Sequence, residues 1–301
     1  MLFNKFSGLL LLVAVAALGG CMRPMPNDPA PSAQAADKIR LTLVSNSSAS
    51  SGGQTETQAA KATGWGTIKG RFVYDGTPPT PGNISITKDQ DVCGKHPLSN
   101  ESLLVSKDGG LANVVLFARN KNLEAHPDYA ASADKPVLLD NSECHFVPHV
   151  LAVRTTQPLQ IKNSDSVGHN TNIAFATNAP FNGIISSGTT AEQKLTSAEP
   201  SPATVVCNIH PWMKGYVVVQ SNPYMAVSSK DGTFEIKNAP AGIPLEFQAW
   251  HESSSGPSGA VQADRSDLKW QPNGRFTVML EPDQVLDLKD IKVPAASLAT
   301  K

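Results

Sequence analysis

Three potential metal ligands lie within seven residues of one another, in the stretch 207–219 that reads CNIHPWMKGYVVV. Cys207 offers a thiolate, His210 an imidazole and Met213 a thioether, and an apolar segment follows them directly. A second imidazole, His169, lies upstream. Two imidazoles and a thiolate, with a thioether as a weak axial ligand, are the donors of blue-copper sites. The residue types therefore predict one type 1 copper ion held by these four side chains.

Strand-like segments flank the four ligands. Residues 159–163 alternate apolar and polar side chains and lead through a turn to His169. Residues 205–206 lead into the cysteine loop, and residues 216–219 leave it as an apolar run. Alternation with a period of two is typical of half-buried strands. The pattern predicts that strands position the ligands rigidly, as electron exchange requires when both oxidation states must share one geometry.

The composition favours an all-β fold. The chain has 301 residues, with 22 glycines and 23 prolines, and its apolar runs are short and rich in valine and isoleucine. Short strands at regular spacing, separated by turn sequences, are typical of a β-sandwich. Before the ligands, we predict strands at 66–74, 84–86, 103–105, 112–117, 137–139 and 146–153. Residues 171–194 are rich in asparagine, glycine and threonine, and we interpret them as loop and edge-strand structure.

The C-terminal part has a second set of strand signals. Lys230-Asp231-Gly232 is a hairpin turn, and strands are predicted at 224–228, 233–236, 245–251 and 276–280. Residues 222–293 resemble the carboxypeptidase regulatory-like (transthyretin-like) domain. That resemblance implies a smaller β-sandwich that serves as a structural or interaction module and brings no catalytic residues. Residues 68–86 have a similar pattern of strand-like segments and turn sequences, and they could belong to either sandwich.

The ligand loop resembles that of the plastocyanin/azurin family, in its amicyanin-like form. The family loop reads cysteine, two residues, histidine, proline, an aromatic residue, methionine, a basic residue and glycine, and residues 207–215 match each place. The earlier family element, an asparagine followed by a histidine-asparagine pair, is matched by Asn163 and by His169-Asn170. The resemblance implies a cupredoxin-like Greek-key sandwich that binds copper through His169, Cys207, His210 and Met213.

The same resemblance assigns roles to the neighbouring residues. Asn170 would tie the histidine strand to the cysteine loop and so restrain the metal geometry. His210 would be the partly exposed ligand whose ring edge passes electrons, with Pro211 and Trp212 as a docking patch. Small, weak patches suit transient redox encounters. The expected partner is another exported redox protein, such as a cytochrome c or a periplasmic dehydrogenase.

The N-terminus has the features of an export signal. Lys5 precedes an apolar core at 9–18, which is too short to span a bilayer as a mature helix. The sequence Leu18-Gly19-Gly20-Cys21 resembles the bacterial lipobox, which implies cleavage before Cys21 and acylation of that residue. Several acyl chains would give stable anchoring without a transmembrane helix. An ordinary secretory signal with an incidental Cys21 is the alternative.

We therefore predict four segments. Residues 1–20 are a lipoprotein signal peptide, 21–64 a flexible tether, 65–221 the cupredoxin-like domain and 222–295 the carboxypeptidase regulatory-like sandwich. The tether has few aromatic residues and is rich in alanine, serine and threonine. The expected location is the cell envelope, with the anchored protein facing the periplasm or the exterior.

Two further cysteines, Cys93 and Cys144, are most simply a disulfide in an exported protein. The competing interpretation is a second metal site that uses Cys144, His145 and His149, with or without Cys93 and its neighbour His96. On a straight strand, His145 and His149 would be about 13 Å apart, which is too far for one ion.

Charge and motifs exclude several classes of function. Charged residues are 17% of the chain with a formal net charge of −1, which gives no indication of nucleic-acid binding. The chain has no Gly-x-Ser-x-Gly elbow, no P-loop and no His-x-His pairs, so we expect no enzymatic turnover. The predicted function is one-electron transfer by copper. The alternatives are copper storage or delivery, and a metal-free adhesion or scaffold protein built from two sandwiches.

Overall fold

A computed structural model describes residues 61–299. The predicted signal peptide, Cys21 and all but the last residues of the predicted tether lie outside this range. Among the described residues, no helix has both the length and the apolar character needed to cross a membrane. The described chain is built almost entirely of strands, so the prediction of an all-β fold is confirmed.

The strands alternate with turns along the whole described chain, and a few short helical segments lie between them. One α-helix, α1, spans Gln90–Cys93, and 3₁₀ turns lie at Pro127–Ser132, Pro257–Gly259, Ser266–Leu268 and Ala295–Ser297. The strands are β1 Gly64–Asp75, β2 Val115–Ala118, β3 Val137–Ser142, β4 His145–Val147, β5 Val150–Arg154, β6 Leu159–Asn163, β7 His169–Ile173, β8 Phe181–Ile185, β9 Thr190–Gln193, β10 Ala203–Val206, β11 Lys214–Gln220, β12 Met225–Val227, β13 Thr233–Ala241, β14 Pro244–Trp250, β15 Arg275–Met279 and β16 Val285–Pro294.

The first sandwich consists of a five-stranded sheet in the order β5-β11-β10-β7-β8 and a four-stranded sheet in the order β4-β3-β6-β9. Its strands alternate inward and outward side chains, as in β6, where Leu159 and Ile161 are buried and Gln160 and Lys162 are partly exposed. These side chains pack with Phe146, Val205 and Val217 in one core. Cys207 and Met213 belong to the same core, so the ligand loop is anchored in the sandwich interior.

The second sandwich consists of sheets in the orders β13-β1-β16 and β12-β2-β14-β15. Strand β1 pairs antiparallel with β13 and parallel with β16, and β2 pairs with β12 and β14. The predicted first domain, 65–221, is therefore wrong in including β1 and β2. Of residues 68–86, whose assignment was open, the part that forms β1 belongs to the second sandwich. The physical reason is burial, because Ile68 and Phe72 complete the core of the C-terminal strands.

Two predicted strands before the ligands are not regular strands. Residues 84–86 carry no strand, and Val105 forms only an isolated bridge with Leu111. The predicted strand at 146–153 is divided into β4 and β5 around Pro148, whose peptide bond with Val147 is cis. Proline has no backbone N–H to give to a sheet, which explains the break at this position.

The two sandwiches share a small apolar interface. Val115 and Phe117 of β2 and Trp250 of β14 pack against Val150, Tyr216 and Val218 of the first sandwich. The rings of Tyr216 and Trp250 have centroids 4.8 Å apart. Strand β11 is therefore buried on both faces, which explains why 216–219 is a continuous apolar run instead of an alternating one.

Candidate metal centre

The structure brings the four predicted ligands to one end of the first sandwich. His169 is the first residue of β7, and the loop with the other three joins β10 to β11. All four are buried, with exposures of 0% for His169 and His210, 2% for Cys207 and 1% for Met213. The donors are thus held away from water before any metal binds.

The donor atoms converge at the spacing of a single metal site. The two Nδ1 atoms of His169 and His210 are 2.9 Å apart, and Cys207 Sγ lies 3.7 Å from His210 Nδ1. The three donor atoms lie within 4.8 Å of one another. An ion about 2.0–2.3 Å from each nitrogen and sulfur would fit among them. Two imidazoles and a thiolate are the equatorial donors that copper takes in electron-transfer sites.

Backbone hydrogen bonds place Met213 beside the other donors. Met213 N–H donates to His210 O at 2.9 Å, and Cys207 N–H donates to Met213 O at 3.2 Å. These bonds fold the loop back on itself, so Met213 and Cys207 pack in the same core. The Met213 side chain is therefore buried on the same short loop as Cys207 and His210.

The surroundings of Cys207 favour the thiolate form of its side chain. The backbone N–H groups of Asn170 and His210 point at Sγ from 3.3 and 3.4 Å. Burial alone would raise the thiol pKa, but His169 and these backbone amides lower the pKa of Cys207 to about 6. The thiolate is the form of cysteine that binds metals.

A carboxylate holds the outer nitrogen of His169. Asp165 Oδ2 lies 2.8 Å from His169 Nε2. The Asp165 carboxylate also accepts the backbone N–H groups of Glu143 and Cys144, at 2.6 and 2.8 Å. Burial lowers the pKa of His169, but Asp165 and Cys207 outweigh it and raise that pKa to about 9. In the metal-free protein, His169 therefore carries a proton that a metal would displace.

A second carboxylate covers His210. Asp89 Oδ2 lies 2.7 Å from His210 Nε2, and Asp89 has a left-handed backbone, with φ of 45°, immediately before α1. His210 is fully buried, so the expectation of a partly exposed ring edge is wrong. The reason is that Asp89 occupies the position through which that edge would reach solvent.

Asn170 connects the two ligand-bearing elements. Its Oδ1 accepts the backbone N–H of Asn208 at 3.2 Å, and its Nδ2 donates to Gly183 O of β8 at 3.1 Å. The side chain thus bridges β7, β8 and the cysteine loop. These hydrogen bonds would let Asn170 restrain the position of the cysteine loop relative to β7, which is the role expected for it.

Cys144 joins the surroundings of both histidines. It forms the predicted disulfide with Cys93, which follows Asp89 on the same segment. The Cys144 N–H donates to Asp165, and the Cys144 oxygen accepts the indole N–H of Trp212 at 3.1 Å. One residue therefore helps to secure both carboxylates that hold the outer imidazole nitrogens.

The competing second metal site is not assembled. Among residues 61–299, the groups that could hold an ion do not include His145 or His149. Cys144 is bonded to Cys93, and His149 is paired instead with the carboxylates of Glu252 and Glu101.

The predicted docking residues differ in exposure. Pro211 is exposed and Trp212 is half-buried, with its ring centroid 5.1 Å from that of His210. Trp212 is therefore the aromatic neighbour of His210 that reaches toward the surface.

Sequence reasoning missed both carboxylates. Asp165 lies four residues before His169, in the turn that joins β6 to β7, and this spacing is a usable local signal. Asp89 lies 121 residues from His210, and only the expected disulfide at nearby Cys93 could have indicated its position. Metal-binding histidines commonly give their other ring N–H to a carboxylate, so both positions are consistent with metal ligation.

No family model matches the sequence, and no curated protein sequence matches it. Among solved structures, a copper-containing nitrite reductase from Thermus scotoductus SA-01 matches at 22% identity with a TM-score of 0.26, covering 28% of this chain and 22% of that one. A purple cupredoxin from Nitrosopumilus maritimus matches at 22% identity and 0.24, over 29% of this chain and 100% of that one. A reduced amicyanin variant matches at 20% identity and 0.26, over 35% and 98%. Likenesses at these TM-scores assign no function to this chain.

Proposed function

We propose that this chain is an exported, lipid-anchored type 1 copper protein that mediates one-electron transfer. The observation that carries the proposal is the convergence of two imidazole Nδ1 atoms and one thiolate in a buried site, beside a buried methionine. Copper bound there would supply one-electron exchange between its Cu(II) and Cu(I) states. We propose no enzymatic turnover for the chain itself.

The chain's own residues have three tasks in this function. Asp165 and Asp89 orient the two imidazoles so that both Nδ1 atoms face the same point. Backbone amides hold the Cys207 sulfur in place. Burial of the four ligands excludes water, which keeps the donor geometry independent of solvent reorganisation.

We propose that the protein works at the cell envelope with another exported redox protein, such as a cytochrome c or a periplasmic dehydrogenase. The lipobox-like sequence that ends at Cys21 supports the location, and the absence of a basic patch in the sequence argues against nucleic acid. The membrane attachment would be through the lipid anchor only.

Copper loading of the chain tests this function. In a Cys21→Ala background, which prevents acylation, Cu(II) should bind at one equivalent and give intense visible thiolate-to-copper absorption. Replacement of Cys207 by alanine should abolish that absorption because it removes the sulfur donor. Cys21→Ala alone serves as the control and should retain it. Absence of stoichiometric copper, or binding that Cys207→Ala does not alter, would contradict the copper assignment.

Copper storage or delivery is the second candidate, favoured by the burial of His210 beneath Asp89. A storage protein needs retention of the metal more than access to it. Tight binding of Cu(I) by a protein that stays colourless with Cu(II) would support storage. Reversible reduction and reoxidation by a cytochrome c would support electron transfer instead.

Removal of the carboxylate over His210 should weaken copper binding. Asp89→Ala deletes the acceptor for Nε2–H and opens the ring to water, so we expect the affinity to fall about 10-fold to 100-fold. Competition with a chromophoric chelator measures this change. Asp91→Ala is the matched control, because Asp91 is exposed on α1, which begins directly after Asp89. An equal loss in both variants would show that the effect comes from net charge and not from the contact with His210.

A further inference from the structure

A cavity opens beside the ligand loop, on the side of Trp212. It has a volume of about 400 Å³ and lies between the two sandwiches and the segment that follows α1. Cavities of 300–1,000 Å³ are of the size that holds small organic ligands. Trp212 lines this cavity and also contacts His210 with ring centroids 5.1 Å apart. The ring of Trp212 therefore connects the cavity with His210, which is a proposed metal ligand.

The walls combine apolar and polar groups. Pro97, Leu98, Pro211 and Trp212 supply apolar surface, and Glu101 lies among them with 30% of its side chain exposed. An apolar wall with a tryptophan ring suits a flat ring, since aromatic pairs gain energy from offset or edge contacts beyond their buried area.

His149 gives the cavity an unsatisfied donor. Its side chain is only 7% exposed, and its Nε2 contacts Glu252 closely. Its Nδ1 lies 3.5 Å from Glu101 Oε2 and has no hydrogen-bond partner. Burial opposes protonation, but Glu101 and Glu252 raise the pKa of His149 to about 9, so both ring nitrogens carry protons at neutral pH. At 3.5 Å the Glu101 carboxylate attracts this N–H without completing a hydrogen bond, and a ligand oxygen would supply an acceptor at a shorter distance.

The charges around the cavity balance. Protonated His149 and Lys214 face Glu101 and Glu252, with Lys214 Nζ 3.5 Å from Glu252 Oε2. A ligand with a full charge of either sign would meet a group of the same sign. The walls therefore select a neutral molecule with both a hydrogen-bond donor and an acceptor.

We propose that this cavity binds a small neutral aromatic alcohol of the phenol or hydroquinone class. Its ring lies against Trp212, and its hydroxyl group accepts from His149 Nδ1–H and donates to Glu101. The 3.5 Å gap between those two atoms leaves one hydroxyl oxygen able to contact both from the cavity side. The relation of this ligand to the metal rests on the proposed function, but its binding does not require copper.

Titration of the metal-free chain with hydroquinone, without oxygen, tests the proposal by calorimetry. We expect saturable binding of one equivalent. Glu101→Gln should weaken it about threefold to tenfold, because the ligand hydroxyl loses a charged acceptor. Leu98→Ala should weaken it through loss of the apolar wall, and 1,4-dimethoxybenzene, which lacks the hydroxyl donors, should bind at least about tenfold more weakly. Glu192→Gln is the matched control, since Glu192 is exposed on β9 and does not line the cavity.

Three outcomes would overturn the binding site. They are no saturation with hydroquinone, equal affinity for 1,4-dimethoxybenzene, and an affinity that neither Glu101→Gln nor Leu98→Ala changes. Glu101→Gln removes one of the two carboxylates that face His149, so circular dichroism checks that this variant is folded before titration. Leu98→Ala leaves both carboxylates in place and gives an independent test. Because the titration uses metal-free protein, its failure would leave the copper-loading experiment unaffected, and the reverse also holds.

Discussion

Replacement of both Cys93 and Cys144 by alanine should lower the free energy of unfolding by about 4 kcal/mol, the loop-closure value for a disulfide that spans this length of chain. The bond joins residues 51 positions apart, and both half-cystines are fully buried. Urea unfolding of the metal-free protein measures the change. The double replacement is needed because a free Cys144 thiol would lie within 4.8 Å of His169 and Asp165 and offer a new metal ligand.

The same variant should expose His210. The disulfide fixes the segment that carries Asp89, and Asp89 is the residue that covers His210 Nε2. We expect diethyl pyrocarbonate to modify His210 in the variant and to spare it in the native protein. Cleavage at lysine isolates residues 195–214, in which His210 is the sole histidine, so mass spectrometry reads its modification directly. A stability loss below about 1 kcal/mol would contradict the expected contribution of the disulfide.

Glu252→Gln should destabilise the protein by about 3–5 kcal/mol, because it leaves a buried partner charge uncompensated. Glu252 is 2% exposed and contacts His149 Nε2, and its Oε2 accepts the Tyr216 hydroxyl at 3.1 Å. His149 and Tyr216 belong to the first sandwich and Glu252 follows β14 of the second, so this network joins the two. His145→Ala is the control, since His145 is partly exposed and its ring lies 3.2 Å from the Glu143 backbone oxygen instead of a buried carboxylate.

The stabilisation from His149 should depend on pH with a defined sign. Burial opposes the charge on His149, but Glu101 and Glu252 raise its pKa to about 9, against about 6.5 in the unfolded chain. The contribution, on the order of 3 kcal/mol, is therefore complete below pH 6.5 and is lost as the pH rises through about 9. The pKa of Glu252 is lowered, since His149 and Lys214 outweigh its burial, so its contribution is lost at acid pH.

Comparison of native protein with His149→Phe over pH 6 to 10 isolates this effect from other titrating groups. The difference in unfolding free energy should shrink as the pH approaches 10. A difference that stays constant across this range would show that His149 stabilises the interface through packing alone.

Much of the ligand set could be read from local sequence. Cys207, His210 and Met213 lie on one short loop, and backbone hydrogen bonds within that loop bring them together, so their spacing alone predicts their proximity. The alternation of 159–163 likewise predicts β6, because a strand with one buried face must alternate. The Cys93–Cys144 disulfide followed from the count of cysteines in a chain that we predict to be exported.

The sequence by itself thus determined the types and order of the candidate donors, and it determined the all-β class. The first two are residue identities, and the third follows from alternation and turn sequences between near neighbours in the chain. Tertiary structure decided the rest. It placed β1 in the second sandwich, since the apolar side chains of Ile68 and Phe72 are buried by strands that follow more than one hundred residues later. It also brought Asp89 onto His210 across 121 residues, and this long-range contact closes a site that local pattern had predicted to be open.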